Sequence, residues 1–308
     1  MKSKGRIRVG TRRSKLALQQ CHSVIASLQS IHPDIGFDLV EIATTGDRHR
    51  QIPLDVLGGE GVFVRELEQA LTDERIDMAV HSAKDMPTSL TDGLCLSCVP
   101  ERIDPSDVLV SRCGGLAELP PGAKVGTGSQ RRAVQLRAQR SDLEVLGLRG
   151  NIDTRLRKVA SGEFDCIVLA AAALIRLGMV DRIAEYLPHE AFTPAVGQGA
   201  LGIEVRESDS DIIDLLSALN HDHTWQCVVA EREFLRALGG GCRAPIAANG
   251  TVSEGRMYLQ GMVADPDGKT ILRAGCDREV QYGEETGKEL ATRMLDMGAS
   301  LLVERMRQ

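Results

Sequence analysis

Short β-branched runs separated by stretches of helical period constrain this chain more than any other feature. Residues 7–9, 37–42 and 78–80 read as strands, and helices are predicted over 14–30 and 62–71. In the first of these helices Leu16, Gln20, Val24 and Leu28 fall along one line. After Pro100 and Pro105 the alternation restarts, with strands at 108–110, 124–125, 145–146 and 167–169 and helices over 129–139 and 151–160. Residues 201–205 supply one more strand, and Cys95 to Cys98 lie in a strand-like run. Alternation of this kind predicts α/β lobes with mostly parallel sheets.

The last third of the chain has another rhythm. A helix over 223–238 stops at Gly239-Gly-Gly241, a flexible loop follows, and strands at 246–252, 257–263 and 270–276 come in series. A final amphipathic helix carries Leu290, Met294, Met297 and Leu301. Strands in series closed by a helix predict a small separate α+β domain. A length of 308 residues fits about two domains, or three small ones.

Composition narrows the partners. With 43% hydrophobic and 26% charged residues the chain is globular, and a net charge of −6 gives no overall field toward nucleic acid or anionic lipid. Aromatic residues make up 3%, too few for a base-stacking platform. The basic N-terminus leads into no apolar stretch of the signal-peptide kind. The longest apolar run, residues 166–175, is about half of what a bilayer span requires. The expectation is a cytoplasmic protein with no membrane or nucleic-acid partner, whose 8 cysteines stay reduced.

Arginines cluster where strands give way to helices. Arg12-Arg13-Ser14 opens the first helix, and Gly126-Thr-Gly-Ser-Gln-Arg-Arg132 opens one in the second lobe. Arg149 and Arg155 flank the next junction, and Arg176 follows the apolar run. Ligands of open α/β sheets bind at the carboxyl ends of strands, where helix N-termini offer N–H groups to anions. Guanidinium forks there suit a polyanionic organic ligand. Any one of these arginines, taken singly, reads equally well as a solvated helix start.

Two further features stand out. Val80-His-Ser-Ala-Lys-Asp-Met-Pro87 places Lys84 and Asp85 at a strand end. A carboxylate among arginines makes sense where positive charge develops during a reaction; the plainer alternative is an exposed Lys84–Asp85 pair of little energetic consequence. Gly239-Gly-Gly-Cys242-Arg-Ala-Pro245 presents one thiol on a glycine hinge, a candidate covalent anchor or an incidental residue in a helix-ending turn. Cys21, Cys166 and Cys227 sit in apolar patterns and are expected in the core. No metal site is expected: Cys95-Leu-Ser-Cys98 has no second pair, and His221-Asp-His223 fits a helix cap and surface better than a ligand set. The run Leu57-Gly-Gly-Glu-Gly-Val-Phe63 has neither Walker nor dinucleotide spacing.

Over nearly its whole length the chain resembles the porphobilinogen deaminase (hydroxymethylbilane synthase) family. The likeness is carried in order by Val9-Gly-Thr-Arg-Arg-Ser-Lys-Leu-Ala-Leu18, the glycine-rich run ending in Phe63-Val64, Val80 to Pro87, Val125 to Arg132, Leu148-Arg-Gly-Asn-Ile-Asp-Thr-Arg155, Pro194-Ala-Val-Gly-Gln-Gly-Ala200 and Gly240-Gly-Cys-Arg-Ala-Pro-Ile246. The resemblance implies two lobes like type II periplasmic binding proteins, residues 1–101 with 197–218 and residues 102–196. A cofactor-anchoring domain over 219–308 completes the chain. It also implies stepwise condensation of four porphobilinogen molecules, with loss of ammonia, into the linear tetrapyrrole hydroxymethylbilane by a monomeric transferase.

By the same resemblance, Cys242 binds a dipyrromethane cofactor through a thioether. Asp85 hydrogen-bonds pyrrole N–H groups and steadies the cationic species formed as ammonia leaves. Lys84, Ser129, Arg131 and Arg132 match cofactor-binding positions, and Arg12, Ser14, Phe63, Arg149, Arg155, Arg176 and Gln198 match positions that hold substrate and growing chain. One departure is Glu60, which stands where the family usually has lysine, so no carboxylate binding is expected of that loop. The alternative function is a two-lobed anion-binding protein without covalent chemistry, which would need neither Cys242 nor Asp85.

Overall fold

The computed structural model describes residues 6–48, 61–239 and 245–307. The chain opens with β1 (Ile7–Arg12), α1 (Lys15–Ile31), β2 (Phe37–Ile42), the single turn α2 (Thr45–Arg48), α3 (Arg65–Thr72), β3 (Met78–Ser82) and β4 (Leu94–Cys98). It crosses into β5 (Asp107–Ser111), β6 (Lys124–Gly126), α4 (Gln130–Gln139), β7 (Glu144–Leu146), α5 (Ile152–Ala160), β8 (Cys166–Ala170), α6 (Ala171–Arg176) and β9 (Glu185–Tyr186). It then returns through β10 (Leu201–Arg206) and α7 (Ser210–Ser217). The remainder is α8 (Asp222–Ala237), β11 (Ile246–Ser253), β12 (Arg256–Ala264), β13 (Ile271–Glu279), α9 (Gly283–Asp296) and α10 (Ala299–Arg307). Compact units divide at Arg102/Ile103, Gly199/Ala200 and Trp225/Gln226, so the second lobe and the C-terminal sheet fall in one unit.

The two five-stranded sheets share one connectivity. Their orders are β2-β1-β3-β10-β4 and β7-β6-β8-β5-β9, and in each the fourth strand is the first one formed after the chain crosses over. β1 runs parallel to β2 and β3, whereas β10 is antiparallel to β3 and β4; likewise β6 is parallel to β7 and β8, and β5 antiparallel to β8 and β9. In each sheet four strands therefore run one way, as expected, and only the fourth, β10 or β5, runs against them. A strand inserted from a long excursion is not bound to the right-handed βαβ crossover that makes successive strands parallel. Two α/β lobes and a small three-stranded antiparallel domain, β11-β12-β13, make up the fold.

Each sheet is covered by apolar helix faces. In the first lobe Cys21, Val24 and Leu28 of α1 pack with Val9, Met78, Val80 and Ile203, and Leu67, Ala70 and Leu71 of α3 pack with Ile42, Ile76 and Ala79. One polar pair lies within this sheet: the Nε2 atom of His81 is 2.9 Å from Oε2 of Glu204, both side chains being buried. In the C-terminal domain Phe234, Leu290 and Met294 pack with Met257, Leu259 and Val263.

Three expectations change. The run 166–175 is a strand followed directly by α6, because an all-apolar stretch carries no periodicity to separate the two. Helix α7 carries no counterpart among the predicted elements. The closing helix is two, α9 and α10, parted at Met297-Gly298, where the N–H of Gly298 donates to Leu295 O. The glycine-rich run up to Glu60 and the loop bearing Cys242 lie outside the described residues.

Candidate active site

In the first lobe the site is built at the ends of β1 and β3. Ser14 caps α1, its Oγ accepting from the N–H of Ala17 at 3.2 Å, and the first turn of this helix has no acidic residue. That leaves the positive end of the helix dipole uncompensated. Arg12 lies immediately before it. Its Nη1 is 3.8 Å from Oδ2 of Asp85, which sits with Lys84 in the 3₁₀ turn after β3.

The guanidinium of Arg12 also lies 3.9 Å from the centroid of the Phe63 ring, a cation–π contact that fixes its plane. The ring is seated against the backbone of Gly46, where a Cβ would stand 2.0 Å from it. The lobe thus presents a carboxylate flanked by a clamped cation, with Asp85 about one-third exposed at 32%.

In the second lobe the organising residue is Asp107, at the start of β5 and fully buried. Arg131 Nη1 donates to its Oδ2 at 2.7 Å, and Arg132 donates to its Oδ1 through Nε at 2.9 Å and Nη2 at 2.8 Å. Gln198 Nε2 donates to the same Oδ1 at 2.8 Å and to Pro105 O at 2.6 Å. Burial pulls the Asp107 carboxyl upward, but the attraction and hydrogen bonds of the two guanidiniums outweigh it and hold the group well below the usual carboxylate range.

One carboxylate between two guanidiniums leaves positive charge in surplus. Burial lowers Arg132 below its ordinary value, and the like charge of Arg131 adds to this while Asp107 opposes it. Arg155 is pushed down to about 10 by burial, then by the nearby charges of Arg132 and Arg149. Arg176 is likewise lowered to about 10 by burial, and its Nη2 donates to Gly199 O at 2.9 Å.

Local chemistry sets these side chains. Ser129 caps α4 by accepting from the N–H of Arg132 at 3.4 Å, and Asn151 caps α5 by accepting from Thr154 at 2.9 Å. Between Arg149 and Asn151, Gly150 has φ +111°, a conformation open to glycine but not to residues with a Cβ, and its carbonyl accepts from Arg155 Nε at 2.8 Å.

Within the compact unit that includes residues 103–199 the structure brings Arg131, Arg132 and Gln198 together on Asp107, with Arg155 near both Arg132 and Arg149; in the first lobe it brings Arg12, Phe63 and Asp85 together. Ser14 and Ser129 spend an oxygen lone pair on capping and keep a hydrogen to donate. Asp107 escaped the sequence reading; its only signal is a charged residue at the mouth of an apolar strand. Among the other thiols, burial pushes Cys21, Cys98 and Cys166 up to about 12, so they stay protonated. His221 Nδ1 accepts from the N–H of Thr224 at 3.3 Å at the start of α8. No group of three or more His, Cys, Asp or Glu suited to a metal ion occurs among the described residues, and no described helix is long and apolar enough to cross a membrane.

The fold is two α/β lobes with a small C-terminal domain, and buried arginine gathers around the single carboxylate of Asp107 in a surplus suited to anionic groups. Residues 7–214 match the family described as "Porphobilinogen deaminase, dipyromethane cofactor binding domain", and residues 225–296 match "Porphobilinogen deaminase, C-terminal domain". The chain belongs to the porphobilinogen deaminase family. It is 47% identical over 308 residues to the porphobilinogen deaminase of Bacillus subtilis, covering 98% of this chain and 96% of that one. It is 45% identical over 302 residues to that of Pelobacter propionicus, covering 98% and 97%. Among solved structures, a putative methionine-binding lipoprotein from Bacillus subtilis superposes with a TM-score of 0.44 at 13% identity, over 71% of this chain and 91% of its own.

The described residues fit the cofactor of that family. A dipyrromethane carries acetate and propionate groups, and the surplus charge around Arg132, Arg149 and Arg155 is what several carboxylates would neutralise.

Proposed function

We propose that this chain joins four porphobilinogen molecules stepwise onto a dipyrromethane primer held through Cys242, with loss of ammonia at each step, and that water then splits the new tetrapyrrole from the primer as hydroxymethylbilane. In this reading it is a transferase acting as a cytoplasmic monomer, with lobes over 1–101 with 197–218 and over 102–196, and a cofactor-anchoring domain over 219–308. When bound, the dipyrromethane supplies the pyrrole carbon to which the first unit is joined.

The residues of each lobe then divide the work. Asp85 accepts the pyrrole N–H of incoming porphobilinogen and places negative charge where positive charge develops as ammonia leaves. Arg12, clamped by Phe63 and close to Asp85, meets a substrate carboxylate. Lys84, Ser129, Arg131, Arg132 and Asp85 serve the cofactor. Ser14, Arg149, Arg155, Arg176 and Gln198 serve substrate and growing chain, each added ring bringing two more carboxylates.

The observation that carries this reading is the surplus of buried guanidinium about the single carboxylate of Asp107. A binding protein without covalent chemistry would share that surplus but would need neither Asp85 nor Cys242. Intact mass separates the two. The purified protein should exceed its sequence mass by two pyrrole units, and Cys242→Ala should abolish the excess. A wild-type chain at its sequence mass that gains none on incubation with porphobilinogen would refute the transferase.

A further inference from the structure

The C-terminal sheet reaches into the arginine cluster through one residue that no catalytic role explains. Arg273, near the start of β13, is half-buried, and burial lowers its pKa from the ordinary value. Its Nη1 donates to Thr193 Oγ1 at 2.7 Å, and its Nη2 donates to Ala191 O at 2.7 Å and to Gln135 Oε1 at 3.2 Å.

Every polar atom of Thr193 is engaged. Its N–H donates to Gln135 Oε1 at 2.8 Å, and its carbonyl accepts from Gln135 Nε2 at 3.3 Å and from Arg131 Nη1 at 2.7 Å. The same Nη1 of Arg131 reaches Asp107 Oδ2 at 2.7 Å. A continuous path of hydrogen bonds therefore leads from Arg273 through Thr193 to Arg131 and Asp107. Beside it, Val134 of α4 packs with Ala247, Met262 and Ala264 of the C-terminal sheet.

We propose that Arg273 is a positioning residue for the carboxylate-binding pair Arg131 and Arg132, acting through Thr193 and Gln135. A buried guanidinium has five N–H groups and a fixed plane, so its direction is set by the acceptors that surround it. For Arg131 those acceptors are Asp107 and the Thr193 carbonyl, and the second is aimed by Gln135 and Arg273. The strand that holds Thr193 in place belongs to the same domain as the Cys242 loop. Arg273 thus ties the domain of the sulfur anchor to the cations that take the anchored group's carboxylates.

This inference rests on the proposed function and can fail separately from it. The test uses the full chain carrying Cys242→Ala, in which no thioether can form, and calorimetric titration with a free dipyrromethane bearing acetate and propionate groups and, in parallel, with its methyl ester. The acid should bind the Cys242→Ala chain more tightly than the ester. Adding Arg273→Met should weaken the acid about tenfold or more, the loss of one well-aimed charge-assisted contact, and narrow the acid–ester difference. Arg273→Lys keeps the charge but not the fork and should recover only part of the loss.

Thr193→Val removes the hydroxyl that Arg273 holds while leaving Arg273 intact, and should weaken the acid in the same direction. It also provides the answer if Arg273→Met fails to fold. Unchanged acid affinity in the folded variants, or full recovery with Arg273→Lys, would overturn the positioning role while leaving the enzyme's function standing. Failure of the Cys242→Ala chain to bind either probe would overturn both.

Discussion

The guanidinium of Arg132 grips Oδ1 of Asp107 twice, through Nε at 2.9 Å and Nη2 at 2.8 Å, where both side chains are buried. Removing the charge of Asp107 leaves Arg131 and Arg132 in a dry place with no anion. Asp107→Asn is expected to cost about 3–5 kcal/mol, the penalty of orphaning a buried charge. Urea unfolding at neutral pH measures it. The pH dependence has a definite sign. The native carboxyl lies below its unfolded value of about 3.9, so its stabilisation is present above that pH and fades as pH falls through the native value. The wild type should therefore lose stability below about pH 4 more steeply than Asp107→Asn. Parallel acid limbs would contradict this.

Asp85→Asn should retain the cofactor mass and the fold while losing about 10²–10³ in kcat, the scale of removing one preorganised group from a developing charge. Asp85 is solvent-accessible and outside the apolar cores, so little stability rides on it. Steady-state turnover of porphobilinogen, measured on chains matched for cofactor content, tests it. Turnover within a few-fold of wild type would remove Asp85 from the reacting centre.

For Arg155 the two readouts should diverge. Its native pKa, lowered from the ordinary value to about 10 chiefly by burial, means that the folded chain holds this proton less tightly than the unfolded one. That penalty is fully present at neutral pH and diminishes as pH rises beyond about 10. In the Cys242→Ala background, Arg155→Leu is therefore expected to be no less stable than its parent. The same substitution should weaken binding of a carboxylate-bearing pyrrole about tenfold or more. A marked drop in the urea midpoint would show that the Nε bond to Gly150 O outweighs the cost of burying the charge.

The pair of His81 and Glu204 offers a double-mutant cycle. Glu204→Leu strands the imidazole and should cost about 1–3 kcal/mol, whereas replacing both partners by leucine should cost less than the sum of the single changes. Additive losses would mean that the pair contributes no coupling.

Much of the site could be read along the chain because its first steps are local. Ser14, Ser129 and Asn151 each close a helix start within three residues, and the arginines around them follow from that position. The inward course of Arg131 and Arg132 could not be read this way. Their anion, Asp107, precedes them by 24 and 25 residues at the start of a strand, and nothing beside it in sequence marks it as their partner. Arg273 was further out of reach: its acceptors Thr193 and Gln135 lie 80 and 138 residues away, and a polar residue on a strand of a separate sheet reads as surface. Helix α6 was hidden for a different reason, since every position before Arg176 in that run is apolar.

The sequence alone determined the alternation of strands and helices and the capped helix starts with their arginines, because periodicity and capping act over a few neighbouring residues. Tertiary structure alone decided that β5 and β10 run antiparallel, that one buried carboxylate is shared by two guanidiniums, and that the C-terminal sheet braces one of them. Those outcomes depend on which distant polar groups are driven out of water together, and a buried charge settles on whatever counter-charge the folded chain brings within reach.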